Sequence, residues 1–146
     1  NTEAQKIHQI HREIHLDLVQ LHGDESPAFS EALSLPYIKA LTAERSMELN
    51  TGDLGYASAR AFLLDSRSAK SYGGTGQVFD HAAWPTDSQA TLMLAGGLGP
   101  DYLQEPIQKL SPYAVDLNSG VESEPGRKDP DKLVASFEQI EALRAR

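Results

Sequence analysis

A chain of 146 residues, 40% of them hydrophobic, has the size of one domain and enough apolar material for a sizeable core, so a single domain over residues 1–146 is expected. Its formal net charge of −8 argues against a sequence-independent nucleic-acid binder and against attraction to an anionic membrane, because both need clustered Lys and Arg. Cysteine is absent, which excludes disulfides, Cys-ligated zinc and a cysteine nucleophile within this sequence. No apolar run approaches about 18 residues, so no membrane partner is expected, and the polar, helical first residues speak against a secretory signal. A cytoplasmic protein is the expectation.

Thr2 to His15 sets Ile7, Ile10 and Ile14 at helical spacing, with Thr2 and Gln5 disposed as a capping box, which predicts an amphipathic helix. Leu16 to Leu21, short, mostly apolar and ended by His22-Gly23, reads as a buried parallel strand. Ser26-Pro27 puts proline at a first helical position and predicts a helix to about Leu35. Tyr37 to Leu41 is the second strand. Ala43 to Ser58, broken by Asn50-Thr51-Gly52 and by Gly55, reads as one irregular helix and loop. Ala61 to Leu64 is the third strand and Leu92 to Leu94 the core of the fourth. Between them lie a long loop, Ser66 to Val78, and a short helical region near His81 to Trp84. Pro100 to Leu110 is predicted as a helix kinked by Pro106 in its interior. Ala114 to Leu117 is the fifth strand. Asp129 caps a last helix through Leu143, with Pro130 at its first position and Leu133, Phe137 and Ile140 on its buried side.

Strands alternating with helices imply right-handed crossovers and a parallel sheet, a pattern that an open, doubly wound sheet also satisfies. The position of the polar and Gly-rich stretches favours a barrel. Asp65-Ser66 with Tyr72 to Gly76, then Ala95 to Asp101, then Asp116 to Gly126 all follow the C-terminal end of a strand. That is the catalytic face of a (β/α)8 barrel, with phosphate loops after the last two strands. Glycine turns there let backbone N–H groups converge on a phosphate ahead of a helix N-terminus. The candidate phosphate amides are Gly96 and Gly97, then Asn118, Ser119 and Gly120, together with the Gly74-Thr75-Gly76 loop. A helix cap or tight turn is the competing reading for each glycine taken singly.

Val19-Gln20-Leu21-His22-Gly23-Asp24-Glu25, Ile38-Lys39-Ala40, Leu63-Leu64-Asp65, Gly73 to Gly76, Phe79-Asp80, Leu94 to Leu98, and Val115 to Gly126 followed by Lys128-Asp129 occur in an order that resembles phosphoribosylanthranilate isomerase of tryptophan biosynthesis. The resemblance implies a parallel (β/α) barrel of TIM type, incomplete here, whose five βα units correspond to strands 4–8 of the family's eight. The first three strands, with the family's catalytic cysteine and a substrate-contacting arginine, are then missing. It also implies the Amadori rearrangement of N-(5-phosphoribosyl)anthranilate to 1-(2-carboxyphenylamino)-1-deoxyribulose 5-phosphate, with no cofactor and no metal. The tail looks most like the isomerase domain of enzymes fused behind indole-glycerol-phosphate synthase. The implied partners are a phosphorylated small-molecule substrate and either the missing N-terminal barrel half or a fused synthase domain.

By the same resemblance Asp65 matches the family's general acid, just past an apolar strand where partial desolvation suits a proton donor. Capping of the following loop is the other reading of this residue. His22 is placed to touch the anthranilate ring or carboxylate, with a structural histidine as the alternative. Asp116 and Glu122 flank the last phosphate loop, where their charge would repel a phosphate, so orienting or loop-bracing roles are expected. Lys39 faces the barrel mouth or makes a buried ion pair. His8, His11 and His15 share a stripe of the first helix, which reads as a solvated flank and not a metal site. Two other functions stay open: another phosphosugar barrel enzyme, such as a histidine-pathway isomerase, or a barrel fragment that only binds phosphate ligands or its missing half.

Overall fold

The computed structural model describes residues 2–52, 54–65 and 79–145. Helix α1 (Ala4–Ile14) carries Ile7 into the core and closes at His15, which takes a left-handed conformation. Its N-cap is Glu3, whose side chain makes no capping bond. The predicted Thr2–Gln5 box therefore does not form: the helix starts one residue too late to put Gln5 at the third helical position. Strand β1 (Val19–Leu21) is shorter than predicted. Helix α2 (Pro27–Ala32) begins as read from Ser26-Pro27, with Ser26 Oγ accepting from Phe29 N at 3.2 Å. It stops before Leu35, because Ser34 turns left-handed.

Strand β2 (Tyr37–Thr42) runs directly into the short helix α3 (Ala43–Ser46) and a 3-10 turn, Met47–Asn50, the irregular segment that the broken pattern predicts. Strand β3 (Ala61–Asp65) is buried throughout. A 3-10 turn at His81–Ala83, capped by Asp80, precedes strand β4 (Leu92–Leu94). Helix α4 (Gln104–Leu110) begins four residues later than expected, so Pro106 falls in its first turn. There its missing N–H would have had no intrahelical partner, and no interior kink arises. Strand β5 (Ala114–Val115) is only two residues long. After a 3-10 turn at Ser119–Val121, an unpredicted antiparallel hairpin of β6 (Glu122–Glu124) and β7 (Arg127–Lys128) leads to helix α5 (Pro130–Arg144). Asp129 caps α5 with bonds from Asp131 N and Lys132 N, as the sequence indicates. Phe137 corrects the expectation for this helix: it is exposed. Ser136 is the buried residue, and Leu133 and Ile140, three residues before it and four after, share its inward stripe.

The five main strands form one parallel sheet in the order β1-β2-β3-β4-β5, so each strand neighbours the next in sequence. Its faces differ. Tyr37, Leu41, Phe62, Leu64, Leu92 and Leu94 pack with Ile7, Leu33, Leu49 and Leu103 from the helices and connections. Ile38, Ala40, Ala61, Leu63 and Ala95, with Met93, form a second cluster without any helical residue. Among the described residues the helices thus cover one face only, whereas a doubly wound sheet has helices on both. Burying each leucine of this core contributes about 1.5–3 kcal/mol. Because all five strands run the same way, Leu21, Asp65, Leu94 and Val115 close their strands at one end of the sheet.

Candidate functional site at the C-terminal strand ends

Asp65 is the last residue of β3, paired in register with Thr42, and its side chain lies on the sheet face of Leu63 and Ala40. It is 6% exposed. His22 follows β1 directly, and its Nε2 stands 3.5 Å from Asp65 Oδ2, reaching over the end of β2. The other ring nitrogen, Nδ1, lies 3.1 Å from the amide nitrogen of Gln20, two residues earlier on the same face of β1. Where the side-chain amide of Gln20 donates to Nδ1, the neutral ring carries its proton on Nε2, toward the carboxylate.

Lys39, which the sequence leaves between two readings, makes the buried ion pair. It is 1% exposed and its Nζ lies 3.1 Å from Glu25 Oε2. The same nitrogen donates to Gly23 O at 2.6 Å and Leu21 O at 3.3 Å. Burial works to raise the Glu25 pKa, but the Lys39 ammonium and the backbone N–H groups of Glu25 and Gly23 outweigh it and hold the carboxyl below its usual range.

After β4, Gly96 and Gly97 both adopt positive φ, 96° and 66°, which glycine allows without strain. Gly99 and Gly120 pack backbone against backbone: a Cβ on Gly120 would collide with Leu98 O and stand 2.8 Å from Gly97 O. The two candidate phosphate loops are therefore one joined structure. Asn118 Nδ2 donates to Asp116 Oδ1 at 2.9 Å, and Lys128 Nζ donates to Asn118 O and Glu122 Oε1, each at 2.9 Å. Glu122 also accepts from Gly126 N at 3.1 Å, and these bonds, Lys128 first, hold its carboxyl below the usual range. Both acidic residues are engaged within the loop and its hairpin. Gly74, Thr75 and Gly76 lie outside the described residues.

The sequence reading missed Gln20 and Lys128. A polar residue on the interior face of a strand was the available signal for Gln20. Lys128 offered none, since its contacts depend on the hairpin. Among the described residues, no group of three or more His, Asp or Glu side chains could hold a metal ion, and no helix is long and apolar enough to cross a membrane.

The sequence profile of N-(5′-phosphoribosyl)anthranilate (PRA) isomerase matches residues 1–139. The chain belongs to this family. A PRA isomerase from Citrifermentans bemidjiense is 45% identical over 130 residues, covering 86% of this chain and 62% of that protein. The crystal structure of the PRA isomerase from Thermotoga maritima superposes with a TM-score of 0.80 at 33% identity, over 98% of this chain and 70% of that one. A further PRA isomerase, solved in complex with reduced 1-(o-carboxyphenylamino)-1-deoxyribulose 5-phosphate, superposes with a TM-score of 0.74 at 30% identity, over 98% of this chain and 69% of that one. The chain spans about three-fifths of the length of the curated PRA isomerases it matches, 62% for each of two of them. The α/β fold with its parallel five-stranded sheet is that of the family's TIM-barrel-like structures.

Proposed function

We propose that these residues supply strands 4–8 of a PRA isomerase barrel, and that the site at their C-terminal ends takes part in the Amadori rearrangement of N-(5-phosphoribosyl)anthranilate in the cytoplasm. The observation that carries this reading is Asp65, a buried carboxyl group at a strand end, next to His22 and on the same rim as two glycine loops locked together.

In this reading the protonated Asp65 gives its proton to the furanose ring oxygen. The bond from that oxygen to C1′ breaks as the anthranilate nitrogen forms a double bond to C1′. Loss of the C2′ proton then gives an enolamine, which becomes the ketone when C1′ takes up a proton and the 2′-hydroxyl gives up its own. The substrate's own carbons exchange oxidation levels, so the balance closes without a redox partner. The base that removes the C2′ proton is a cysteine in the family and is assigned to no residue here. The 5′-phosphate binds the amides of Gly96, Gly97, Ser119 and Gly120 with Asn118, where glycine allows close approach and the amide dipoles offset the net negative charge. Asp116 and Glu122 brace that loop, and Gly74, Thr75 and Gly76 are further candidates for phosphate contact. An N-terminal barrel half carrying the first three strands completes the enzyme, and a fused indole-glycerol-phosphate synthase domain is the other candidate partner.

Two measurements test this. Isothermal titration of the chain with the reduced product analogue should give binding that inorganic phosphate competes away. Addition of a fragment carrying the family's first three strands should restore turnover. A folded chain that binds neither ligand and gains no activity from the fragment would sink the proposal.

A further inference from the structure

Lys39 is a costly residue for its position. It lies within a buried strand, where Val or Ile would pack without desolvating a charge. Its three N–H donors are all used, and on one turn: Leu21 O at 3.3 Å, Gly23 O at 2.6 Å and Glu25 Oε2 at 3.1 Å. The two carbonyls flank His22. Gly23 N in turn donates to Glu25 Oε2 at 2.9 Å, and Tyr56 Oη donates to Glu25 O at 2.8 Å, while the Lys39 ammonium lies 5.9 Å from the Tyr56 ring centroid. The turn that carries the imidazole is thus pinned at both of its peptide neighbours. Lys39 belongs to the helix-facing side of β2, with Tyr37 and Leu41, whereas Asp65 faces the other side. The ammonium therefore acts through the backbone of the turn and not by contact with a ligand.

We propose that Lys39 is a positioning residue: by clamping the carbonyls on either side of His22, it holds the imidazole with Nε2 aimed at Asp65, while Gln20 sets which nitrogen bears the proton. This rests on the reading of Asp65 as the acid. A proton donor must sit where the ring oxygen will be, and misplacement by about 1 Å is enough to cost a large factor in rate. Asp65 is held on a rigid strand, but His22 lies on a loop and needs the clamp to keep its contact.

The test uses the 146-residue chain and does not depend on turnover. Long-range proton–nitrogen correlation spectra of the histidine rings should show His22 as a single Nε2–H tautomer in the parent protein. Lys39→Met, which keeps the stem and removes the donors, should turn this into an averaged signal of both tautomers, with affinity for inorganic phosphate unchanged. Glu25→Gln, which leaves both carbonyl contacts in place, should keep the parent tautomer. A folded Lys39→Met protein with the parent His22 spectrum overturns the proposal. Should that variant fail to fold, the parent protein still decides: nuclear Overhauser contacts from a slowly exchanging Lys39 ammonium to Leu21 and Gly23 are expected, and their absence overturns the clamp. Failure of the parent chain to bind phosphate bears on the site reading alone, since the ring spectra report the clamp separately.

Discussion

Gly99 and Gly120 touch backbone to backbone where the loop after β4 crosses the loop after β5, and neither position has room for a Cβ. The contact turns two glycine turns into one unit.

Gly120→Ala should force these loops apart. Overpacking of this kind costs about 1–3 kcal/mol, and affinity for inorganic phosphate should fall with it. Gly126→Ala is the control: nothing lies within 4 Å of its Cβ position, and only its φ of +82° opposes the change. Thermal melts and phosphate titration of both variants check this. Equal phosphate affinity in Gly120→Ala and the parent would place the phosphate elsewhere.

Asp65→Asn keeps size and most hydrogen bonding but has no proton to give. In the protein completed by the first three strands, turnover should fall by about 10²–10⁴, the range for a positioned acid. The KM should change little, because the proposed phosphate anchor is on other loops. Near-normal turnover where chemistry limits the rate would make Asp65 a loop cap.

The Glu25–Lys39 pair gives a pH dependence of defined sign. A carboxyl held below its ordinary value of 4.5 when folded contributes stability that is fully present above that value and is lost as the pH falls through the lower, folded one. Chemical denaturation at a series of acidic pH values should show this slope, and Glu25→Gln should flatten it.

Tyr37 behaves in the opposite direction at the alkaline end. Burial, then the 2.7 Å bond to Glu31 Oε1, pushes its hydroxyl up to about 12 from an ordinary 10. Its contribution to stability should be complete below the ordinary value and fade as the pH rises through the shifted one. Ultraviolet titration should show Tyr37 ionising late, and Glu31→Gln should bring it only part of the way back, because burial remains.

Much of the fold was legible because apolar runs and their punctuation act locally. Ser26-Pro27 and Asp129-Pro130 mark helix starts by their own chemistry, and Ala61 to Leu64 is too short and too apolar to be anything but a buried strand. The errors fall where tertiary placement decides. The residue on which α5 turns inward depends on what packs beneath it, so Ser136 is buried and Phe137, expected inside, is exposed. Pro106 was read against a helix start four residues too early. At the site, the resemblance pointed to Asp65 as a candidate acid, while His22 and the glycine loops drew notice by their position after strand ends. The join between Gly99 and Gly120, the Gln20 bond and the Lys39 clamp are contacts across separate strands, which no local pattern encodes.

The sequential order of the sheet has a consequence for how the chain acquires its shape. Each strand from β1 to β5 pairs with its neighbour in sequence, so no pairing waits for a distant segment to arrive. The paired residues stand 18 positions apart at Val19–Tyr37 and 30 at Phe62–Leu92, so the closures differ little in entropic cost, although parallel pairing of this kind is slower than closing a hairpin. Assembly can therefore follow synthesis, each new strand finding its template already laid down by the one before it.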